Sequence, residues 1–388
     1  MGTSIAAMND FPDPPREMWQ ARVAAVLKGE SAGKLIGRTA DGIATEPLYQ
    51  QIHGPRADRA SHGPWTVMQR VDHPDAARAT AQALDDLEHG AGGLCLVNGD
   101  ADVAHVLHDV ALHAIEIRLE GGGGLAKAFA AHVESQPIDP ARLRVSFGLH
   151  ESGRLAALVA QGFTGPFLEA DGRAFHAQGA SEAQELACVL SQIVHALRKF
   201  EKLSPEEAVG ATLAANQDMF LTLAKFRAIR LLWARLLEAS GIAHQPLRLH
   251  GETSRRMMAK LDPHTNILRA TAAVFGAGLG GTDTFTVLPF SIAQGVPNAF
   301  ARRMARNTQL ILLEESQLWR VADPASGSGY VESLTHELCE RAWSIFQSIE
   351  KTGKLPEFDA ANKASDPIIG TSAYQLPKEF DAAIEVLP

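Results

Sequence analysis

The sequence has few cysteines and tyrosines, no long apolar run and no excess of positive charge. No apolar stretch reaches the ~18 residues that a membrane-spanning helix needs, so we expect no membrane span. The chain carries 36 basic and 45 acidic residues, for a net charge of −9. No basic run with interleaved aromatic residues occurs either, which argues against a nucleic-acid-binding surface.

The three cysteines, Cys95, Cys188 and Cys339, are far apart and lie among apolar residues. No Cys-x-x-Cys pair is present, as many zinc and redox sites require. We therefore expect core thiols in a reducing compartment rather than disulfides. The N-terminus lacks a charged segment followed by an apolar one, so we expect no secretion signal and a cytoplasmic protein.

The chain has 388 residues, of which 46% are hydrophobic and 21% charged, as in a globular protein with one large domain and extensions. Trp19, Val23 and Leu27 lie at helical spacing and predict an amphipathic helix near the N-terminus. We predict four regions along the chain. They are an N-terminal helix and extended arm over 1–64, a main domain over 65–300, C-terminal helices over 301–354, and an extended tail over 355–388.

The main domain alternates short apolar runs with helical stretches, and this alternation predicts a parallel sheet. Eight such units over roughly 250 residues match a closed (β/α)8 TIM barrel, an α/β fold. An open, doubly wound sheet is the alternative. The predicted strands are Trp65–Val71, Gly92–Asn98, Ala114–Glu120, Arg142–Gly148, Gly165–Asp171, Val209–Ala214, Leu247–Thr253 and Thr282–Phe290.

Polar residues follow most of these strands, at the end of a barrel where active sites form. They are Arg70, Asp72, Asn98, Asp100, Glu120, His150, Asp171, His250 and Glu252. Together they suggest a polar pocket suited to acid–base work or ligand binding. His250 is the strongest candidate, because it ends an apolar strand. A neutral imidazole there could donate to a substrate carbonyl, or it could be a satisfied core histidine.

Motifs for metals and cofactors are weak. His105 and His108 lie three residues apart but lack further ligands at short spacing, so we expect no metal site. Asp262-Pro263-His264 matches the Asp-x-His of a cobalamin-ligating motif, yet Ile267 stands where that motif ends in glycine. The segment opens a helix, and Asp262 is better explained as its N-cap.

Several longer motifs resemble the methylmalonyl-CoA mutase family, the acyl-CoA mutases that use adenosylcobalamin. The most specific are MARNTQLILLEES at 304–316, DPASGSGYVESLT at 323–335 and LAKFRAIRLLWARLL at 223–237. The opening of the chain and GPWTVMQRVDHPD at 63–75 are most similar to the family's small, non-catalytic subunit. The similarity extends over roughly residues 16–376.

The resemblance implies a (β/α)8 barrel with acyl-CoA threaded along its axis, and a separate domain that holds the cobalamin. In heterodimeric members only the large subunit is catalytic. We expect no cobalamin domain in this chain, and the tail at 355–388 resembles the linker that leads to one. The chain alone is thus expected to bind no cofactor, while adenosylcobalamin belongs to the catalytic assembly.

The residues that carry catalysis in the family are mostly replaced here. Arg70 stands in place of a tyrosine that stacks near the corrin, and Met68 in place of an arginine. The other replaced positions are Arg56, Ala208-Val209-Gly210, Thr286-Val287-Leu288 and Ser291-Ile292. We expect no catalytic residue in this chain. His250, with Glu252 and His176, forms a possible retained acyl-CoA pocket.

Three functions follow from this pattern. The first is a non-catalytic small subunit that supports a large mutase subunit in the carbon-skeleton isomerisation of acyl-CoA. Alternatively, it is a catalytic acyl-CoA-binding chain that uses cobalamin supplied by a separate protein. The third possibility is a homo-oligomeric binding or regulatory barrel, so the partner is either a large subunit or a second copy of this chain.

Overall fold

The structure is a computed structural model that describes residues 15–57, 59, 63–97, 102–200, 202–359, 368–377 and 382–385. The predictions for residues 1–14, Asn98 and Asp100, and for much of the tail, fall outside these ranges. Within them, every helix is too short or too polar to cross a membrane.

The N-terminal arm begins with helix α1 (Arg16–Leu27), where the helical spacing predicts it. The helix is followed by a 3-10 turn over Ala32–Leu35 and by a short antiparallel hairpin. The hairpin strands, β1 (Gly37–Arg38) and β2 (Ala44–Thr45), have two residues each. No residue of α1 is buried, and its predicted apolar face is only half covered. The arm therefore has no core of its own, since an amphipathic helix is stabilised mainly by packing of its apolar face.

All eight predicted strands form, and they run parallel. They are β3 (Thr66–Val71), β4 (Gly93–Leu96), β5 (Glu116–Leu119), β6 (Arg144–Ser146), β7 (Leu168–Asp171), β8 (Val209–Ala215), β9 (Leu249–Thr253) and β10 (Thr284–Thr286). Their spatial order is β6-β5-β4-β3-β10-β9-β8-β7. Strands that are neighbours in sequence therefore pair, except β6 and β7 at the two ends, and β10 pairs with β3.

The two ends of this sheet also meet. Phe147 N donates to Pro166 O at 2.9 Å, and Glu169 N donates to Leu149 O at 2.9 Å, which joins the β6 segment to β7. The sheet is thereby closed into a barrel rather than an open doubly wound sheet, and the predicted fold class is confirmed.

Helices surround the barrel. They are α2 (Ala76–Glu88), α3 (Val103–Val106), α4 (Gly122–Glu134), α5 (Leu155–Ala160), α6 (Arg173–Gln178), α7 (Glu182–Lys199), α8 (Pro205–Ala208), α9 (Met219–Ala239), α10 (Thr265–Leu279), α11 (Ala299–Leu310) and α12 (Gly329–Thr352). The predicted start of α10 is wrong. Asp262 has a φ of 46°, and the helix begins at Thr265, because the left-handed backbone at Asp262 separates it from the helix.

Helix α12 packs against α7 and α9 on the outside of the barrel. A buried arginine of α9 fixes this packing: Arg227 Nε donates to Asp323 Oδ1 at 2.8 Å, and its Nη2 donates to Glu332 Oε1 at 3.2 Å. Asp323 also accepts from Ala57 N of the arm at 3.1 Å. One guanidinium thus ties together the barrel, the C-terminal helices and the arm.

A second buried ion pair joins α7 to α9. Lys225 Nζ lies 2.7 Å from Glu185 Oε2, and both side chains are fully buried. Burial alone would raise the pKa of the Glu185 carboxyl, but Lys225 and the neighbouring His176 lower it to about 2. The carboxylate therefore stays charged at neutral pH, and each member of the pair depends on the other.

We expect Glu185→Gln to lower the free energy of unfolding by roughly 3–5 kcal/mol, because it leaves the Lys225 ammonium buried without a counter-charge. Chemical denaturation of the two proteins at pH 7 measures this loss. Glu238→Gln is the matched control, since Glu238 pairs with Arg235 on the exposed side of α9, the helix that carries Lys225. It is expected to change little.

The same pair also sets a pH dependence. Because the folded-state pKa of Glu185 lies below its unfolded value, the stabilisation is present above about pH 4.5 and is lost as the pH falls towards 2. The difference in unfolding free energy between wild type and Glu185→Gln should shrink over that window. A constant difference down to pH 2 would contradict this assignment.

Candidate functional site

The inside of the barrel is filled by charged side chains from the strands. Because side chains alternate along a strand, β5 directs Ile117 and Leu119 towards the helices and Arg118 towards the axis. Arg118 Nη1 donates to Glu169 Oε2 of β7 at 3.2 Å, and its Nη2 donates to Thr212 Oγ1 of β8 at 2.7 Å. These contacts reach across the axis from one wall to the other.

A second layer of charges lies nearer the carboxyl ends of the strands. Glu120 accepts from Arg118 at 2.9 Å and lies 2.9 Å from Arg173 Nη1. Glu252 Oε2 lies 3.0 Å from the same Arg173 nitrogen and 3.4 Å from Arg70 Nη1. Glu120 and Glu252 therefore form one network with Arg70, Arg118 and Arg173. We call these five residues, together with Glu169, the axial network.

Electrostatics holds Glu120 and Arg118 of the axial network in their charged forms. Burial acts to raise the pKa of Glu120, but Arg173 and Arg118 lower it well below its usual range. Burial opposes the charge of Arg118 as well, yet Glu169 and Glu120 raise its pKa above its ordinary value. Glu120 and the arginines around it thus remain ionised and depend on one another.

The rim of the barrel extends this network outwards. Arg70 Nε lies 3.0 Å from Asp72 Oδ2, and Asp72 Oδ1 accepts from Arg302 of α11 at 2.8 Å. Asp171 accepts from Arg173 at 2.8 Å on the opposite side. The strand-end residues are therefore engaged with each other.

His250 lies below this layer, inside the barrel. Its Nδ1 is 2.8 Å from Thr284 Oγ1, and the ring is 2% exposed. Burial lowers the pKa of His250 well below its usual range, and the charge of Arg118 acts in the same direction. The ring is neutral, and its Nε2 has no hydrogen-bond partner among the described residues.

His176 belongs to a different part of the wall, beside the Glu185–Lys225 pair. Its Nε2 lies 2.8 Å from Ser254 Oγ, and its Nδ1 lies 3.2 Å from Glu185 Oε2. Helix α6 carries His176, α7 carries Glu185, and Ser254 directly follows β9. His176 and His250 therefore contact different groups.

A cavity of about 530 Å³ opens at the carboxyl end of the barrel. Its wall includes His176, Ser254 and Glu252. The charged residues Arg70, Asp171 and Arg173 at the rim of the barrel also line it. The cavity is within the size range of small-molecule sites. It includes two of the three predicted pocket residues and leaves out His250.

Sequence reasoning found part of this arrangement. The structure brings Arg70, Glu120, Asp171 and Glu252 together, while His150 is exposed at the rim. Sequence reasoning missed the residues that pair with them or with His176, namely Arg118, Glu169, Arg173, Glu185, Lys225 and Ser254. A signal for two of them existed, because charged residues at inward positions of otherwise apolar strands, as in EIRLE and FLEAD, need partners across the axis.

The described residues hold no group of three or more histidine, cysteine or acidic side chains that could bind a metal ion. The Asp262-Pro263-His264 segment is also engaged within the chain. Asp262 accepts from Thr265 Oγ1, and the His264 ring lies 5.0 Å from that of Phe290.

Comparison with known proteins agrees with the motifs. The model of the family described as methylmalonyl-CoA mutase matches residues 167–386. A methylmalonyl-CoA mutase small subunit from Streptomyces virginiae is 37% identical over all of this chain and 74% of its own length. A probable small subunit from Mycobacterium tuberculosis is 34% identical over 88% of this chain and 66% of its own.

A third relative, the small subunit from Propionibacterium freudenreichii, is 31% identical over 91% of this chain and 64% of its own length. The chain thus spans about two thirds to three quarters of these relatives. Among solved structures, a dihydropteroate synthase from Xanthomonas albilineans covers 66% of this chain and 94% of its own, with a TM-score of 0.39 and 14% identity. On the family match and these relatives, the chain belongs to the methylmalonyl-CoA mutase family.

Proposed function

We propose that this chain is a non-catalytic small subunit that supports a catalytic acyl-CoA mutase subunit in the cytoplasm. The observation that carries the proposal is the axial network. The family resemblance implies acyl-CoA along the barrel axis, whereas here Arg118, Glu169 and Thr212 bridge that axis. Admitting a ligand there would separate buried charges from their partners, at a cost of several kcal/mol for each ion.

The residues that face the expected cofactor side also fit poorly with a corrin ring. Arg70 stands where the family has a stacking tyrosine, and it is held by Asp72 and Glu252 rather than available for stacking. Val287 and Leu288 are buried apolar residues that cannot hydrogen-bond an adenosyl ribose. These residues support a chain that leaves cobalamin chemistry to its partner.

The arm supplies a surface for such a partner. Met18 and Val26 lie on one face of α1 and are 54% and 77% exposed, while Leu35, Ile36, Leu48 and Ile52 are exposed further along. A protein–protein contact is typically made by a segment that has no core of its own and exposes several apolar side chains in succession. We propose that the arm packs on the large subunit.

A second candidate is a catalytic chain that receives cobalamin from a separate protein. The cavity of about 530 Å³ favours it, because His176 and Glu252 lie in its wall where an acyl group could be held. This candidate requires that acyl-CoA enter the barrel, so a binding measurement separates the two.

We expect isothermal titration with methylmalonyl-CoA and spectroscopic titration with adenosylcobalamin to give no saturable binding to this chain. The physical reason is the ion-paired axis, because acyl-CoA entering it would separate buried charges from their partners. A complete large mutase subunit is the positive control for both titrations. Saturable binding of acyl-CoA at one site per chain would favour the second candidate.

We expect a tagged copy of this chain to co-purify with a large mutase subunit from the cell it comes from. Val26→Asp should weaken that association by roughly tenfold without changing the chain's own thermal unfolding, because the Val26 side chain is 77% exposed. Val159→Asp is the matched control, since Val159 is a 39% exposed apolar residue on the barrel surface. Recovery of this chain alone, as a self-associated complex, would instead support a homo-oligomeric barrel.

A further inference from the structure

Ser254, His176 and Glu185 form a chain of polar contacts that the proposed subunit role does not use. Ser254 Oγ lies 2.8 Å from His176 Nε2, and His176 Nδ1 lies 3.2 Å from Glu185 Oε2. A hydroxyl, an imidazole and a carboxylate in this order are the components of an activated serine nucleophile. We refer to these three residues as the serine relay.

The backbone holds each member in place. Ser254 N donates to Ala215 O at 2.7 Å, and Ser254 Oγ accepts from Arg256 N at 3.1 Å, which fixes the hydroxyl at the end of β9. Glu185 Oε1 accepts from Ala214 N at 2.9 Å, so its other oxygen faces the histidine. The serine relay is therefore built from three elements that the closed barrel positions independently.

The charges around the serine relay leave His176 as the acceptor of the Ser254 proton. Lys225 keeps Glu185 ionised, with a pKa of about 2, so this carboxylate takes up no proton at neutral pH. His176 is then the base within reach of the hydroxyl. Because Lys225 shares Glu185 Oε2 with the imidazole, this carboxylate oxygen is divided between two partners, and the reaction is expected to be slow.

The serine relay lies where a small molecule can reach it. Ser254 and His176 are both part of the wall of the 530 Å³ cavity at the barrel mouth, although each is 2% exposed. The Nδ1 contact to Glu185 is close but not aligned as a hydrogen bond. Such contacts are often imperfect before a substrate is bound.

We propose that Ser254 is a nucleophile that accepts an acyl group from small esters in this cavity, with His176 as general base. Ser254 Oγ attacks the carbonyl carbon while its proton passes to His176 Nε2. The carbon–oxygen bond to the alcohol breaks, and the proton moves from Nε2 to the departing alkoxide. Water then attacks the acyl-serine, and His176 transfers a proton from the water back to Ser254 as the acid leaves.

A fluorophosphonate probe tests this directly, because serine attack forms a phosphorus–oxygen bond and releases fluoride. We expect the folded wild-type chain to gain one probe mass, located on Ser254 by tandem mass spectrometry. Heat-unfolded chain should not be labelled, and Ser240→Ala, which removes an exposed serine at the end of α9, should label like wild type. A folded wild-type chain without label on Ser254 overturns the proposal.

A second variant tests the activation rather than the presence of the hydroxyl. His176→Gln keeps a polar neighbour for Ser254 but removes the base, so labelling should slow by roughly 100-fold. Hydrolysis of 4-nitrophenyl acetate should fall in parallel in His176→Gln and Ser254→Ala. His195→Ala, an exposed histidine on α7, serves as the control. Labelling of Ser254 at the wild-type rate in His176→Gln would show that the histidine does not activate it.

Discussion

The charges on the barrel axis impose the main constraint on this molecule, because an arginine or glutamate buried there is tolerated only when it is paired. Arg118 meets that requirement by reaching from β5 to Glu169 on β7 and to Glu120 above it. Removing one member would leave a buried charge without compensation, which costs more than the pair itself contributes. The axis is therefore closed by a set of residues that act together, and this closure underlies the proposed loss of catalysis.

Helix α9, which lies outside the barrel strands, also carries buried basic residues that are each paired with an acidic residue. Within one segment, Lys225 pairs with Glu185, Arg227 with Asp323 and Glu332, and Arg230 with Asp283. Two of the motifs that identify the family, LAKFRAIR and DPASGSGYVES, thus bind each other through Arg227. The motifs therefore join the barrel to its surrounding helices, and this role does not depend on what the barrel holds.

The two predicted histidines have different surroundings, although both are buried. His250 is a neutral ring among cations inside the barrel, whereas His176 lies between a serine and a carboxylate at the cavity wall. Burial alone therefore says little about the role of a histidine. What differs is the group at the other ring nitrogen, which sets the tautomer and decides whether the ring can take a proton from a neighbour. Only His176 has an ionised acid at that position.

The sequence by itself determined the eight strands, their parallel order and the family, because apolar periodicity and the 304–335 motifs are local in the chain. It also placed polar residues at the strand ends, since that position follows from strand direction. Only the tertiary structure decided which of them meet. Arg118 and Glu169 are 51 positions apart, and Ser254 and His176 are 78 apart. Closure of the barrel brings them within hydrogen-bond distance, and no local pattern encodes which residues face each other across its axis.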